Sequence, residues 1–140
     1  MVGNILVPVD GSENSDRAVR YALDLLKSGG GALHLLNVQP PVSGAIKTFV
    51  RKADVDGYHR EEGEKALASA VKLAAEAGVA AEQHISVGRP GAIVAQYAKQ
   101  TGARMVVMGT RGHTGLAGVL LGSVAQDVIA QVEAPVCLVK

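Results

Sequence analysis

Asn4-Ile5-Leu6-Val7-Pro8-Val9, followed by Asp10-Gly11-Ser12, is the stretch that decides the fold. A nearly unbroken apolar run with β-branched residues suits a strand covered on both faces, as in a parallel sheet. A strand with one wet face would alternate instead. Pro8 cannot donate a ladder hydrogen bond and belongs near the strand's end. Asp10-Gly11-Ser12 reads as a turn. Ser15 then reads as the N-cap of a helix carrying Ala18, Tyr21, Ala22 and Leu25 at helical spacing, closed by Gly29-Gly30-Gly31.

The same unit recurs along the chain. Ala32 to Val38 predicts a second strand, and Glu62 to Ala77 a helix with Ala66, Leu67, Ala70, Val71 and Ala74 on one side and Gly78 at its C′ position. Glu82 to Val87 alternates as a half-exposed edge strand does. Pro90 can open a helix at its first position, with Ile93, Val94 and Tyr97 inward and Gly102 at its close. Met105 to Met108 is a short buried strand, Ser123 to Val132 the last helix and Pro135 to Val139 the last strand. Strands alternating with helices predict a doubly wound parallel sheet built as one domain over residues 1–140. Pro40 to Tyr58 breaks the rhythm as a long connection, mobile or partly helical.

Bulk properties narrow the function classes. The 140 residues, 48% hydrophobic, are enough to bury a core. No apolar run approaches the ~20 residues a membrane helix needs, and the amino terminus lacks a signal-peptide pattern, so a cytoplasmic location is the expectation. The single Cys137 cannot form an internal disulfide, in keeping with a reducing compartment, and reads as a core residue. Fourteen basic residues against 13 acidic ones argue against a nucleic-acid partner, whose phosphates demand many cations. Phe49, Tyr21, Tyr58 and Tyr97 are too few for a base-stacking platform. His34, His59 and His84 show no metal-ligand spacing and read as surface or structural.

The remaining pattern is the glycine-studded segment from Gly109 to Gly122, between a strand end and Ser123. Ligands of open α/β sheets gather beyond the carboxyl ends of the strands. Glycines there permit positive φ and let backbone amides approach an anion. Ser123 stands three residues before Gln126, a capping-box spacing, and a helix start favours phosphate. The segment is not a P-loop, since no lysine precedes Ser123. Nor does the first strand lead into the glycine triplet of a dinucleotide site.

These residues resemble the universal stress protein family, in its ATP-binding branch. The resemblance rests on Gly109-x2-Gly112-x9-Gly122-Ser123, on Ile5 to Ser12, on Gly88-Arg89-Pro90, on Met105 to Gly109, and on Ala134-Pro135-Val136-Cys137-Leu138-Val139. It implies a three-layer α/β/α domain of the Rossmann-like, adenine nucleotide α-hydrolase-like kind, with a five-stranded parallel sheet of order 3-2-1-4-5. It also implies an adenine nucleotide (ATP, ADP or AMP, with Mg2+) across the ends of strands one and four. Pro8 and Val9 would line the pocket, and Asp10 would reach the ribose or a phosphate-bound metal. Val38 would meet the adenine through its backbone, and Met108 and Gly109 would flank the ribose. Arg111, Gly112, Gly122, Ser123 and Val124 would hold the phosphates. The bare residues leave simpler roles open: Asp10 as a turn-former, Arg111 as a solvated loop residue, His113 as an exposed histidine outside the site.

Three functions stay in view: a nucleotide-dependent stress-response or signalling module, a slow ATP hydrolase or nucleotidyl-transferring enzyme, and a nucleotide-free dimerisation module. Val136 to Val139 is a short apolar edge strand, with only Lys140 to discourage pairing. The resemblance implies a homodimer through antiparallel pairing of these strands.

Overall fold

A computed structural model of the protein describes residues 3–111 and 121–140. The elements in chain order are β1 (Ile5–Pro8), α1 (Glu13–Gly29), β2 (Leu33–Gln39), α2 (Gly44–Phe49), α3 (Lys52–Glu76), β3 (Ala81–Val87), α4 (Pro90–Gln100), β4 (Met105–Gly109), α5 (Ser123–Gln131) and β5 (Val136–Val139). The strands form one parallel sheet of order β3-β2-β1-β4-β5.

The apolar β1 run is explained by the two cores it feeds. Ile5, Val7 and Val9 pack with Leu33, Leu35 and Val107 against α1 and α3. Leu6 packs on the opposite face with Leu36, Val106 and Met108 against α4 and α5. Ile5, Leu6 and Val7 are all fully buried, each contributing on the order of 1.5–3 kcal/mol relative to exposure.

Pro8 shapes the sheet centre. The Ile5 and Val9 amides donate to Ala32 and Leu36 on the β2 side, at 2.9 and 2.8 Å. Amide directions alternate along a strand, so Leu6 and Pro8 face β4. Proline has no N–H to give there. Pairing of β1 with β4 ends at Leu6↔Val106, while β4 continues beside β5 to Gly109↔Val139. The strands therefore part at the point where the chain order reverses.

Several expectations shift in detail. Ser12, not Ser15, caps α1: its Oγ accepts the Ser15 amide at 3.1 Å, and the Ser15 hydroxyl donates back to the Ser12 carbonyl at 3.0 Å. The buried stripe of α1 accordingly runs through Ala18, Val19, Ala22, Leu23 and Leu26, leaving Tyr21 exposed. Gly122, not Ser123, occupies the N-cap of α5, and no capping box forms; the Gln126 side chain donates instead to the Leu121 carbonyl at 3.1 Å. Helix α3 begins at Lys52, well before Glu62, and α2 precedes it, so Pro40–Tyr58 is largely helical. That part of α3 is mostly exposed and carries ion pairs such as Arg51–Asp54 in place of an apolar stripe, which is why helical periodicity misses it.

Helices α4 and α5 are locked by one carboxylate. Asp127 Oδ2 accepts the Gly91 amide at 2.7 Å in the first turn of α4, while Oδ1 accepts from Gln131 at 2.8 Å and from Arg89 at 3.3 Å. A Cβ at Gly91 would sit 2.5 Å from that carboxyl group, so glycine is what permits the approach. The Gly91 amide foremost, then Gln131 and Arg89, hold the Asp127 pKa below its ordinary value against the opposing effect of burial. A depressed carboxylate pKa stabilises the fold above the unfolded-state value, and that stability is lost as pH falls through the folded value. Asp127→Ala is expected to lower the thermal midpoint at neutral pH. The gap from the parent should narrow as pH falls below ~4; a gap constant across that range, followed by circular dichroism, would contradict this account.

Candidate functional site

The parting of β1 and β4 opens a cleft of about 240 Å³ at the carboxyl ends of the strands. Pro8, Val9 and Asp10 enter it from β1 and the turn after it, and Leu36, Asn37 and Val38 from β2. Met108, Gly109, Thr110 and Arg111 come from β4 and the segment beyond it. The start of α5 supplies Gly122 to Ala125, α4 supplies Pro90 and Val94, and Ser15 comes from α1. Pro8, Val9, Leu36, Val38, Val94 and Met108 are among the larger apolar residues of the lining. Asp10, Ser15, Asn37, Thr110, Arg111 and Ser123 are its polar ones.

Of the residues singled out by sequence, Pro8, Val9, Asp10, Val38, Met108, Gly109, Arg111, Gly122, Ser123 and Val124 all surround this one cleft. Gly112 and His113 lie outside the described residues. Asp10 does form the expected turn: its Oδ1 accepts the Ser12 amide at 2.9 Å, and Gly11 takes φ +83°, a conformation glycine adopts without strain. Gly109 and Gly122 do not take positive φ. Gly109 is needed for space, because a Cβ there would collide with the Asn14 side-chain oxygen.

The α5 start leaves backbone amides facing the cleft. The first intrahelical bond of the helix joins the Gln126 amide to the Gly122 carbonyl at 3.1 Å. The amides before it, of Ser123, Val124 and Ala125, have no intrahelical acceptor and carry the positive end of the helix dipole. Ser123 is exposed at the first helical position, and with Gly122 as N-cap its hydroxyl makes no capping bond. The Gly122 amide is drawn back to the Thr110 carbonyl at 2.6 Å, which joins the two ends of the intervening segment.

Two buried asparagines that sequence reading passed over hold the rim. Asn14 Oδ1 accepts the Arg111 amide at 2.7 Å, and its Nδ2 donates to the Val139 carbonyl at 3.3 Å. It ties the first turn of α1 to the exit of β4 and the end of β5. Asn37 Nδ2 donates to the Val9 carbonyl at 2.8 Å, and its Oδ1 accepts from Gln39 at 2.6 Å. It bridges the ends of β2 and β1 where regular pairing has stopped. An Asn in the otherwise apolar run Leu35-Leu36-Asn37-Val38 is a readable signal. Asn14, polar on a helix first turn and partnered far along the chain, gives none.

Geometry thus defines a doubly wound α/β protein whose candidate site lies at the topological switch point of its sheet. The Universal stress protein family pattern matches residues 1–140. The sequence is 34% identical to universal stress protein MJ0531 of Methanocaldococcus jannaschii, over 97% of this chain and 81% of that protein. The chain belongs to the universal stress protein family. Among solved structures it resembles the hypothetical protein MJ0577, with a TM-score of 0.86 at 27% identity over 100% of this chain and 96% of that one. It also resembles a universal stress protein in complex with cAMP, with a TM-score of 0.74 at 29% identity over 99% and 97% of the two chains.

Removing the Asn14 tie leaves a partly buried Arg111 amide without its acceptor, a loss of about 1–3 kcal/mol. Asn14→Ala is expected to lose that much stability in urea unfolding. Asn14→Asp keeps the acceptor and is expected to lose less; equal losses in the two variants would show that the Arg111 bond is not the important one.

Proposed function

We propose that the cleft binds an adenine nucleotide, ATP with Mg2+ foremost as in the ATP-binding branch of the family, and that occupancy makes the protein a nucleotide-dependent stress-response or signalling module. The observation that carries this reading is that one cleft is lined both by apolar side chains and by the start of α5, whose amides lack intrahelical acceptors. The first suits the flat face of a base and the second a phosphate. A related protein of the same fold that binds cAMP supports the choice of base. Val38 would offer its backbone to the adenine, with Pro8 and Val9 beside it. Met108 and Gly109 would flank the ribose, and Asp10 would accept from its hydroxyls or face a phosphate-bound cation. Arg111, Gly112, Gly122, Ser123 and Val124 would hold the phosphates. Asp10 is the one carboxylate among the described lining residues. That fits Mg2+, which takes few protein carboxylates and shares the rest of its ligands with phosphate and water.

The protein is also proposed to pair through β5. Val136–Val139 forms one edge of the sheet and is half-buried along its length, so its outer backbone groups offer a template for a second copy. Sedimentation at micromolar concentration is expected to show dimers. Monomer alone, with and without nucleotide, would reject the pairing.

Calorimetric titration with ATP, ADP, AMP and cAMP in the presence of Mg2+ tests the site. Binding is expected, with Ser123→Ala weakening the phosphate-rich ligands by about tenfold or more, the worth of one hydrogen bond to a charged group. Gly109→Ala should weaken all of them, because the added methyl displaces Asn14 from the rim. No heat from any of the four at millimolar concentration would overturn the proposal. A phosphate-release assay on the same samples separates a binder from a hydrolase.

A further inference from the structure

Away from the cleft, strand pairing gathers three side chains that linear spacing does not join. His34 pairs with Glu82, and Leu36 with His84, in the parallel β2–β3 register. Residues opposite one another, and residues two apart along a strand, project to the same face. His34, Glu82 and His84 therefore share the face on which Leu36 packs against α4. The sequence shows no metal-ligand spacing among these histidines; the strand register brings His34 and His84 together with Glu82.

The three ligating atoms form a compact triangle. His34 Nδ1 lies 3.1 Å from His84 Nε2 and 3.3 Å from Glu82 Oε2, and the His84 and Glu82 atoms are 3.9 Å apart. A tetrahedral zinc ion with bonds of ~2.1 Å places its ligands about 3.4 Å from one another. The observed triangle has the size of one face of such a tetrahedron. A simple hydrogen-bonded pair accounts for it less well. One N–H points along one line, yet His34 Nδ1 lies close to both partners, and His84 Nε2 is also within 3.9 Å of the same carboxylate.

We propose that His34, Glu82 and His84 form a binding site for a borderline divalent transition cation such as Zn2+, with a fourth position left to solvent. The donor set, two imidazoles and one carboxylate, is one that zinc accepts. The site is rigid where it needs to be. His34 is buried, its ring stacks on that of His84 with centroids 5.3 Å apart, and Tyr97 of α4 covers His84 at 5.2 Å. It is open where a cation must enter: the Glu82 side chain is 70% exposed. Burial foremost and the neighbouring His34 lower the His84 pKa, with Glu82 opposing. Bound there, the cation would clamp the edge strand β3 to β2.

Titration of the purified chain with Co2+ at neutral pH reports the geometry, because four-coordinate Co2+ absorbs strongly in the visible. One Co2+ per chain, displaced by one Zn2+, is expected, together with a rise in thermal midpoint on adding Zn2+. His84→Ala should abolish the absorption band. Glu82→Ala, at a position whose side chain is 70% exposed, should weaken Zn2+ binding by more than ~10-fold, the loss that even an outer-shell partner causes. Absence of the band and of any zinc heat at ~100 µM, a range far weaker than structural zinc sites show, would overturn the proposal and leave a hydrogen-bonded histidine pair. Binding undiminished in both variants, each checked for folding by circular dichroism, would overturn it equally.

Discussion

A missing hydrogen at one backbone nitrogen organises the centre of this molecule. Pro8 lies where β1 should go on pairing with β4, and it has nothing to donate in that direction. Pairing on the other side is untouched, since the Val9 amide still reaches Leu36. β1 thus stays fixed to β2 while its end parts from β4. The parted ends expose backbone and side chains that a continuous ladder would close over. The chain that leaves β4 returns as α5 beside this opening, so a helix start faces it. The same proline that limits the sheet thereby stands at the mouth of the cleft.

A break in a sheet leaves polar backbone groups without ladder partners, and buried ones must find substitutes. Asn37 serves the Val9 carbonyl, and Asn14 serves the Arg111 amide and the Val139 carbonyl. Each asparagine replaces strand pairing with a side-chain bond of fixed length, so the rim becomes as well positioned as the sheet beneath it. The close approach of Asn14 requires Gly109, and that of Asp127 requires Gly91. These glycines are selected by volume, whereas Gly11 and Gly30 are selected by positive φ.

That distinction explains what was legible in the sequence. Strand type and element order follow from the apolar runs of β1, β2 and β4, because a parallel strand buried on both faces has no other way to be written. The cleft residues were legible because a strand end, a glycine-rich segment and a helix start adjoin one another in the chain. Cap positions were less so: Ser12 and Ser15 are both good N-caps, and only the turn at Gly11 decides between them. Ser123 resembles a cap for the same reason, yet Gly122 takes that place because its amide is drawn to Thr110. Contacts set by register were not legible at all. The His34–His84 approach spans fifty residues and depends on which strand lies beside β2.

Asn14, Asn37 and His34 are three of the seven polar residues buried among those described, and core-building would favour apolar ones in their places. A buried polar group must be paired or it destabilises the fold. Each here is paired, but with different kinds of partner. The asparagines meet backbone carbonyls, a backbone amide and the Gln39 side chain, none of which titrates, so their burial is accounted for once the rim is fixed. His34 meets an imidazole and a carboxylate, groups whose bonding changes with protons or cations. Holding strands β2 and β3 together would not require that chemistry, since other pairs of the same register, such as Leu33 with Ala81 and Leu35 with Gln83, do without it. A ligand-competent triad at a position where apolar residues would serve the fold is a local conflict of the kind in which function is to be sought.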